Sequence, residues 1–91
     1  MQVKLYASLR QAAGTKMLDV DIHPDMTIRD VLREATHRYP ALEKFIWVGA
    51  DELAEFVHVF INGMNIRQMA GLDTPLKNED HVDIFPPVVG G

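Results

Sequence analysis

The start of the chain contains two short runs in which apolar and polar residues alternate, the period of a half-buried β-strand. The first run covers residues 2–9, and the second covers residues 17–22 and stops before Pro24. The connection between them is short and contains Gly14, so we predict a hairpin. Tyr6 would point away from the core. The apolar sets of the two strands are Val3, Leu5, Ala7 and Leu9, and Leu18, Val20 and Ile22.

A longer segment has the spacing of an amphipathic helix. Thr27 is in place to cap its N-terminus, Asp30 follows as in a capping box, and Pro40 ends it. We predict a helix of about three turns. Its apolar positions are Ile28, Val31, Leu32, Ala35 and Tyr39, and its polar face, which we interpret as solvated charge, contains Arg29, Asp30, Arg33, Glu34 and Arg38.

Residues 41–56 have no single period. The apolar residues Leu42, Phe45 and Ile46 favour a helical turn, whereas Gly49 and the acidic pair that follows it favour a loop. Both alternatives stay open, and so does the position of Trp47 between core and surface.

The second half of the chain predicts the remaining strands. Residues 57–61 alternate and run into Asn62-Gly63, a dipeptide that favours a tight hairpin turn. Residues 64–66 can pair briefly beyond the turn, and residues 82–85 alternate again as the last strand. The order β-β-α-β-(β)-β predicts an α+β fold with a sheet of four or five strands and one main helix packed on one face.

Three aromatic residues, Tyr6, Phe60 and Phe85, fall on the side of the pleat opposite to the predicted core positions. If they are exposed together they form an interaction patch, so we predict that they are a partner interface. The alternative is that the loop around Trp47 or Met69 folds over them.

The sequence ends in Phe85-Pro86-Pro87-Val88-Val89-Gly90-Gly91. Two prolines remove two backbone donors, so the segment after Phe85 cannot continue as a central strand and we expect it to run out extended. We therefore divide the chain into a domain, residues 1–85, and a tail, residues 86–91. Glycine has no Cβ, so Gly90 and Gly91 form a slender thread that carries the α-carboxylate of Gly91 as its candidate working group. The alternative is an end that is simply disordered.

Composition narrows the classes of function. The chain has 91 residues, a formal net charge of −4 and no cysteine. It fits one domain without disulfides or thiolate chemistry, and it lacks the basic stripe of a nucleic-acid binder. No apolar run is long enough to span a membrane, and the first residues do not have the pattern of a signal peptide, so we expect a cytoplasmic protein without nucleic-acid or membrane partners.

The four histidines raise the question of a metal site. None has a partner at ligand spacing, although His58 and His81 are candidates to approach each other across strands. We predict no metal site and no cofactor bound by this chain. The sequence contains no glycine-rich phosphate loop, serine elbow or paired carboxylates, so we expect no active site in this chain alone.

Several of these features together resemble one family. They are the predicted strand order, the Asn62-Gly63 turn, Asp80 before the last strand and the Phe-Pro-Pro-Val-x-Gly-Gly ending. Over essentially the whole chain they resemble the ubiquitin-like MoaD/ThiS sulfur carriers, and among them the small subunits of molybdopterin synthase. The run 62–72 looks closest to the archaeal-type branch, while the segment 41–56 is longer than the family pattern. The resemblance implies a β-grasp fold with a mixed sheet.

The resemblance also implies a chemistry for the tail. An adenylating partner, an E1-like enzyme of the MoeB type, would use ATP and Mg²⁺ to activate the Gly91 carboxylate as an acyl-adenylate, and sulfur transfer would give a thiocarboxylate. Phe85 would anchor the base of the tail, Pro86 and Pro87 would direct it off the sheet, and Val88, Val89 and Gly90 would thread into the partner.

The leading hypothesis is therefore a sulfur-donating small subunit, not catalytic alone, that pairs with the large subunit of molybdopterin synthase in a heterotetramer. One alternative is a ubiquitin-like modifier of the small archaeal type, which forms isopeptide bonds through Gly91. Further alternatives are a sulfur carrier for thiamine or tRNA thiolation, and a β-grasp interaction domain with an inert tail.

Overall fold

Five strands form a single mixed sheet in the computed structural model, which describes residues 1–87. The strands are β1 (Gln2–Leu5), β2 (Met17–Asp19), β3 (His58–Ile61), β4 (Met64–Asn65) and β5 (Val82–Phe85), and they lie in the order β2-β1-β5-β3-β4. The central strand β5 is parallel to β1 and antiparallel to β3. The predictions for Val88, Val89, Gly90 and Gly91 lie outside the described residues.

Three α-helices accompany the sheet in the described part of the chain: α1 (Ser8–Ala13), α2 (Ile28–Arg38) and α3 (Glu43–Ile46). The predicted amphipathic helix is confirmed as α2, and the Asp30 carboxylate accepts a 2.9 Å hydrogen bond from the Thr27 N–H at its start. The buried face of α2 and the inward residues of the sheet belong to one core, which confirms the predicted α+β arrangement. Its fully buried members include Val3, Leu5, Ile28, Val31, Leu32, Ala35, Val59 and Ile84.

The prediction of a strand over residues 2–9 is wrong beyond Leu5, because α1 begins at Ser8. The chain turns at Ala7, which has φ 51° and ψ −124°, a conformation that side chains with a Cβ rarely adopt. Leu9 is fully buried in the core, and Ala12 and Ala13, three and four residues further on, pack against the core. A helix places these three positions on one face, whereas a strand does not. The predicted hairpin pairing of β1 with β2 is correct, although β2 ends at Asp19.

Residues 40–56 lie on the helical side of the sheet. A 3₁₀ turn (Pro40–Leu42) leads into α3, so the helical alternative is correct there, and the segment after Trp47 is a loop. Trp47 is a core residue with 8% of its surface exposed, its indole N–H donates to the Thr36 hydroxyl at 3.3 Å, and the Arg33 guanidinium lies 4.9 Å from its ring centroid. The loop around Trp47 therefore does not cover the outer face of the sheet.

The polar face of α2 is more organised than the predicted solvated charge. Asp51 accepts hydrogen bonds from the Nε of Arg29 at 2.8 Å and from Arg33 at 2.7 Å, and Arg29 also pairs with Asp73. These ion pairs tie the loop after Trp47 and the 3₁₀ turn Gly71–Asp73 to α2.

The Asn62-Gly63 turn is confirmed, since both residues have positive φ, 52° and 85°. The Asn62 side chain donates to Asp80 and accepts from the His81 N–H, both at 2.9 Å, so the turn is tied to the entry of β5. None of the helices in residues 1–87 is long and apolar enough to cross a membrane.

Candidate functional site

Tyr6, Phe60 and Phe85 form a contiguous cluster on the outer face of the sheet, which we call the aromatic surface. The Tyr6 and Phe85 rings stack with centroids 4.2 Å apart, and Phe60 meets Phe85 edge-on at 5.5 Å. All three side chains are half-buried. The strand register explains the cluster, because β5 lies between β1 and β3, Phe60 and Phe85 share one pleat side, and Tyr6 directly follows β1. The three predicted interface residues are thus brought together.

The polar edge of the aromatic surface is held by one hydrogen bond. The Tyr6 hydroxyl donates to the Asp83 carboxylate at 2.9 Å. This bond and, to a lesser extent, burial raise the pKa of Tyr6 above its ordinary value of 10.0. The bond fixes the direction of the Tyr6 ring and so supports its stacking on Phe85.

An open apolar groove adjoins the aromatic surface where the chain leaves β5. Its volume is about 460 Å³, and it is lined by His58, Phe60, Asn65, Phe85 and Pro86. The Pro86 side chain is buried and that of Pro87 is half-buried, and neither residue continues the strand. The groove therefore lies directly beside the base of the tail.

Arg67 is a residue of this region that the sequence analysis did not identify. Its guanidinium donates to the backbone carbonyls of Val57, Ala54 and Glu55 at 2.7, 3.0 and 2.8 Å. These bonds hold the segment that leads into β3 and so position His58 and Phe60 at the groove. Sequence patterns carry no signal for these three contacts, because their acceptors are backbone carbonyls.

His58 and His81, the candidates to approach each other across strands, lie apart. The register places His58 opposite Phe85, whereas His81 lies beside Asn62 at the other end of the same strand pair. In the part of the chain that the structure describes, no three His, Cys, Asp or Glu side chains are grouped so as to hold a metal ion.

The tail residues divide between described and undescribed parts. Pro86 and Pro87 follow β5 without regular structure, while Val88, Val89, Gly90 and the carboxylate-bearing Gly91 lie beyond the described residues. The roles of Gly91 as acyl carrier and of its neighbours in threading therefore remain predictions.

Comparison with known proteins places the chain in a family. The small archaeal modifier protein 1 of Haloferax volcanii is 34% identical over 91 residues, which cover 100% of both chains. The solution structure of small archaeal modifier protein 1 from Methanosarcina acetivorans is 43% identical, with a TM-score of 0.86 over 99% of this chain and 94% of that chain.

A third similar structure is a Pyrococcus furiosus protein provisionally described as molybdopterin converting factor, subunit 1. It is 31% identical, with a TM-score of 0.76 over 96% of this chain and 95% of that chain. These likenesses confirm the ubiquitin-like β-grasp fold. Residues 3–91 match the ThiS family. The chain therefore belongs to the ThiS family of ubiquitin-like sulfur carriers, in which its similarity extends to small archaeal modifier proteins.

Proposed function

We propose that this protein is a ubiquitin-like modifier of the small archaeal type, which is joined through the Gly91 carboxylate to lysine side chains of other proteins. The observation that carries the proposal is the similarity to small archaeal modifier protein 1 over the whole length of both chains, with the diglycine at the end of the matched region. This favours the modifier over the molybdopterin synthase subunit that led the sequence analysis.

The chemistry begins with activation of a poor electrophile. A carboxylate resists attack by an amine, so an adenylating enzyme of the E1-like type first transfers AMP from ATP, with Mg²⁺, to a Gly91 oxygen and releases pyrophosphate. A lysine amine then attacks the acyl carbon, the C–O bond to AMP breaks, and an isopeptide bond forms with release of AMP and a proton. The enzyme would bind ATP and Mg²⁺, and this chain would supply the acyl carbon of Gly91 that the amine attacks.

The described part of the chain contributes the docking surface in this proposal. Half-buried aromatic rings beside an open apolar groove are typical of protein-binding sites, and aromatic residues are enriched among those that contribute most to binding. Because Phe85 is the last residue of β5 and Pro86 lines the groove, an enzyme bound there is adjacent to the departing tail.

Sulfur carriage is the second candidate, and it uses the same activated carbon. Attack by sulfide in place of an amine breaks the C–O bond to AMP, releases AMP and gives a thiocarboxylate, a soft nucleophile that a chain without cysteine is able to carry. Membership of the ThiS family and the similarity to the Pyrococcus furiosus protein support this role. A large subunit of molybdopterin synthase, in a heterotetramer with two carriers, is the partner that this candidate requires.

Mass spectrometry of the protein purified from its own cells separates the two candidates. Lys77 is the last tryptic site, so a conjugate should yield a branched peptide in which residues 78–91 are attached to a lysine of another protein. A carrier should instead show exchange of one oxygen for sulfur at Gly91 in the intact protein. Both products in one preparation would indicate dual use.

The control for this experiment is the protein without Gly91, which should give neither product. Wild-type protein that shows neither branched peptides nor sulfur at Gly91 would contradict both candidates and favour an interaction domain with an inert tail.

A further inference from the structure

A second cavity opens beside the aromatic surface, and among the residues that the structure describes its polar lining side chains are three cations and Tyr6. Its volume is about 350 Å³, and we call it the cationic cavity. Lys4 from β1, Arg10 from α1 and Lys16, which precedes β2, contribute its three positive charges, and all three residues are exposed. The remaining lining residues are Leu5, Tyr6 and Met17.

The grouping of these charges is unusual for this chain, whose formal net charge is −4. In residues 1–87 none of the three cations forms an ion pair, whereas Arg29, Arg33 and Arg38 do, and Arg67 donates to backbone carbonyls. Asp83, which lies opposite Lys4 on β5 and accepts the hydrogen bond of Tyr6, does not line the cavity and forms no ion pair with Lys4. The positive charge of this cavity is therefore available to an external partner.

Tyr6 joins the cationic cavity to the aromatic surface, because it lines the cavity and stacks on Phe85. A protein that covers Phe60 and Phe85 from the groove side therefore needs to extend only past the Tyr6 ring to reach the cations of the cavity. The two features therefore form one continuous surface, apolar beside the tail and positive on the far side of Tyr6.

We propose that the cationic cavity receives Asp and Glu side chains from an extended acidic segment of the adenylating enzyme. The inference rests on the proposed function, since that enzyme has to approach the tail. A peptide fits better than a small anion, because the cations come from three separate elements and their side chains are long and exposed, so they can meet carboxylates spaced along a chain. Charge complementarity of this kind raises the association rate more than it raises the affinity.

Stopped-flow association with the adenylating enzyme of the same organism tests this surface. The double variant Arg10→Glu with Lys16→Glu should associate at least about tenfold more slowly than wild type at low ionic strength. The difference should largely disappear at about 1 M salt, where the Debye length is about 3 Å.

The matched control is Lys44→Glu with Lys77→Glu, which makes the same change in net charge outside the cavity. It should slow association by less than about twofold. Equal slowing by the two double variants would overturn the proposal, since only net charge would then matter. Equal thermal unfolding midpoints would show that the variants fold like wild type. The double variant Arg10→Gln with Lys16→Gln, which adds no negative charge, should associate at an intermediate rate.

Titration of the isotopically labelled protein with a capped hexaglutamate peptide tests the cavity without the enzyme. Amide signals around Lys4, Arg10 and Lys16 should shift with hexaglutamate and not with hexaglutamine. Shifts of equal size with inorganic pyrophosphate would identify a small-anion site and overturn the proposal.

Two different results would contradict the proposed function and this inference. If wild-type protein does not form an acyl-adenylate with the enzyme, the proposed function fails and this inference fails with it. If the adenylate forms but the cavity variant associates like its control, only the inference fails.

Discussion

Phe85 touches both other rings of the aromatic surface and is the last strand residue before the tail. Replacing it with alanine removes the central ring of the cluster. Phe85→Ala should therefore weaken binding to the adenylating enzyme by about 2 kcal/mol or more, as expected for a residue that dominates an interface. Isothermal titration calorimetry measures the loss. The matched control is Phe45→Ala, which removes a half-buried ring on the helical side of the sheet, and unchanged affinity in Phe85→Ala would rule out an anchoring role.

The Tyr6 hydroxyl gives a second prediction at the scale of one residue. Its hydrogen bond to Asp83 favours the protonated phenol, so the stability that it contributes is present below about pH 10 and is lost as pH rises through the raised pKa. In a Tyr39→Phe background, where Tyr6 is the only tyrosine, ultraviolet titration should show ionisation at lower pH after Asp83→Asn. An unaltered titration curve would mean that the bond is absent in solution.

Residue positions of this site differ in how well sequence patterns reveal them. The outward positions of Tyr6, Phe60 and Phe85 follow from strand alternation, and the strand register then brings them together. Arg67 and the cationic cavity depend on how successive elements pack against one another, which no local pattern encodes. The three carbonyls that accept hydrogen bonds from Arg67 have no side-chain signature. Lys16 lines one cavity with Lys4 and Arg10 only once β1, α1 and β2 have packed together.

Among the elements, α1 is preceded by a residue under backbone strain. Ala7 at φ 51° and ψ −124° occupies a region suited to glycine. Glycine removes about 1–3 kcal/mol of backbone strain from the folded state. This gain should exceed the roughly 0.5–1 kcal/mol by which the greater chain entropy of glycine stabilises the unfolded state. Ala7→Gly should thus stabilise the fold by about 1 kcal/mol in urea unfolding. Ala12→Gly, inside the same helix, should destabilise it by about the same amount, and equal effects of the two changes would contradict the strained geometry.

The loop after Trp47 is held to α2 by an ion-pair network that responds to acid. Hydrogen bonds from Arg33 and then Arg29 lower the pKa of Asp51 below its ordinary value of 3.8. Stability from this carboxylate is present above that value and is lost as pH falls through the lowered pKa. Wild type should therefore lose more thermal stability than Asp51→Asn between about pH 5 and about pH 2. The neighbouring Glu52→Gln should behave like wild type, and identical acid profiles for all three proteins would show that the network contributes nothing.

Element prediction succeeded where a local signal agrees with the packing. Thr27 with Asp30, and Asn62 with Gly63, mark a helix start and a hairpin turn that the structure contains. It failed at Ser8–Ala13, because a six-residue helix is too short to show a reliable period and Leu9 also fits the strand alternation. Ala7, where the chain turns between β1 and α1, carries none of the usual turn chemistry.

For the whole molecule, the separation between the folded domain and the reacting group makes a prediction. Every member of the described core lies between Val3 and Ile84. Deleting Gly91 should therefore leave the free energy of unfolding unchanged while it abolishes adenylation, sulfur loading and conjugation. Denaturant unfolding and an adenylation assay on the same sample measure both. Loss of cooperative unfolding in the deletion variant would show that the tail is part of the fold.

The parallel pairing of β1 with β5 has a mechanical consequence. The two strands run side by side in the same direction, so the start of β1 and the end of β5 lie at opposite ends of their shared ladder. A force that pulls the tail away from the N-terminus loads this ladder in shear, so its hydrogen bonds bear the load together rather than one after another. The opposite flank of β5 is bonded to β3. An unfolding enzyme that pulls on the tail must therefore break the hydrogen bonds of β5 to both β1 and β3 before the domain unfolds.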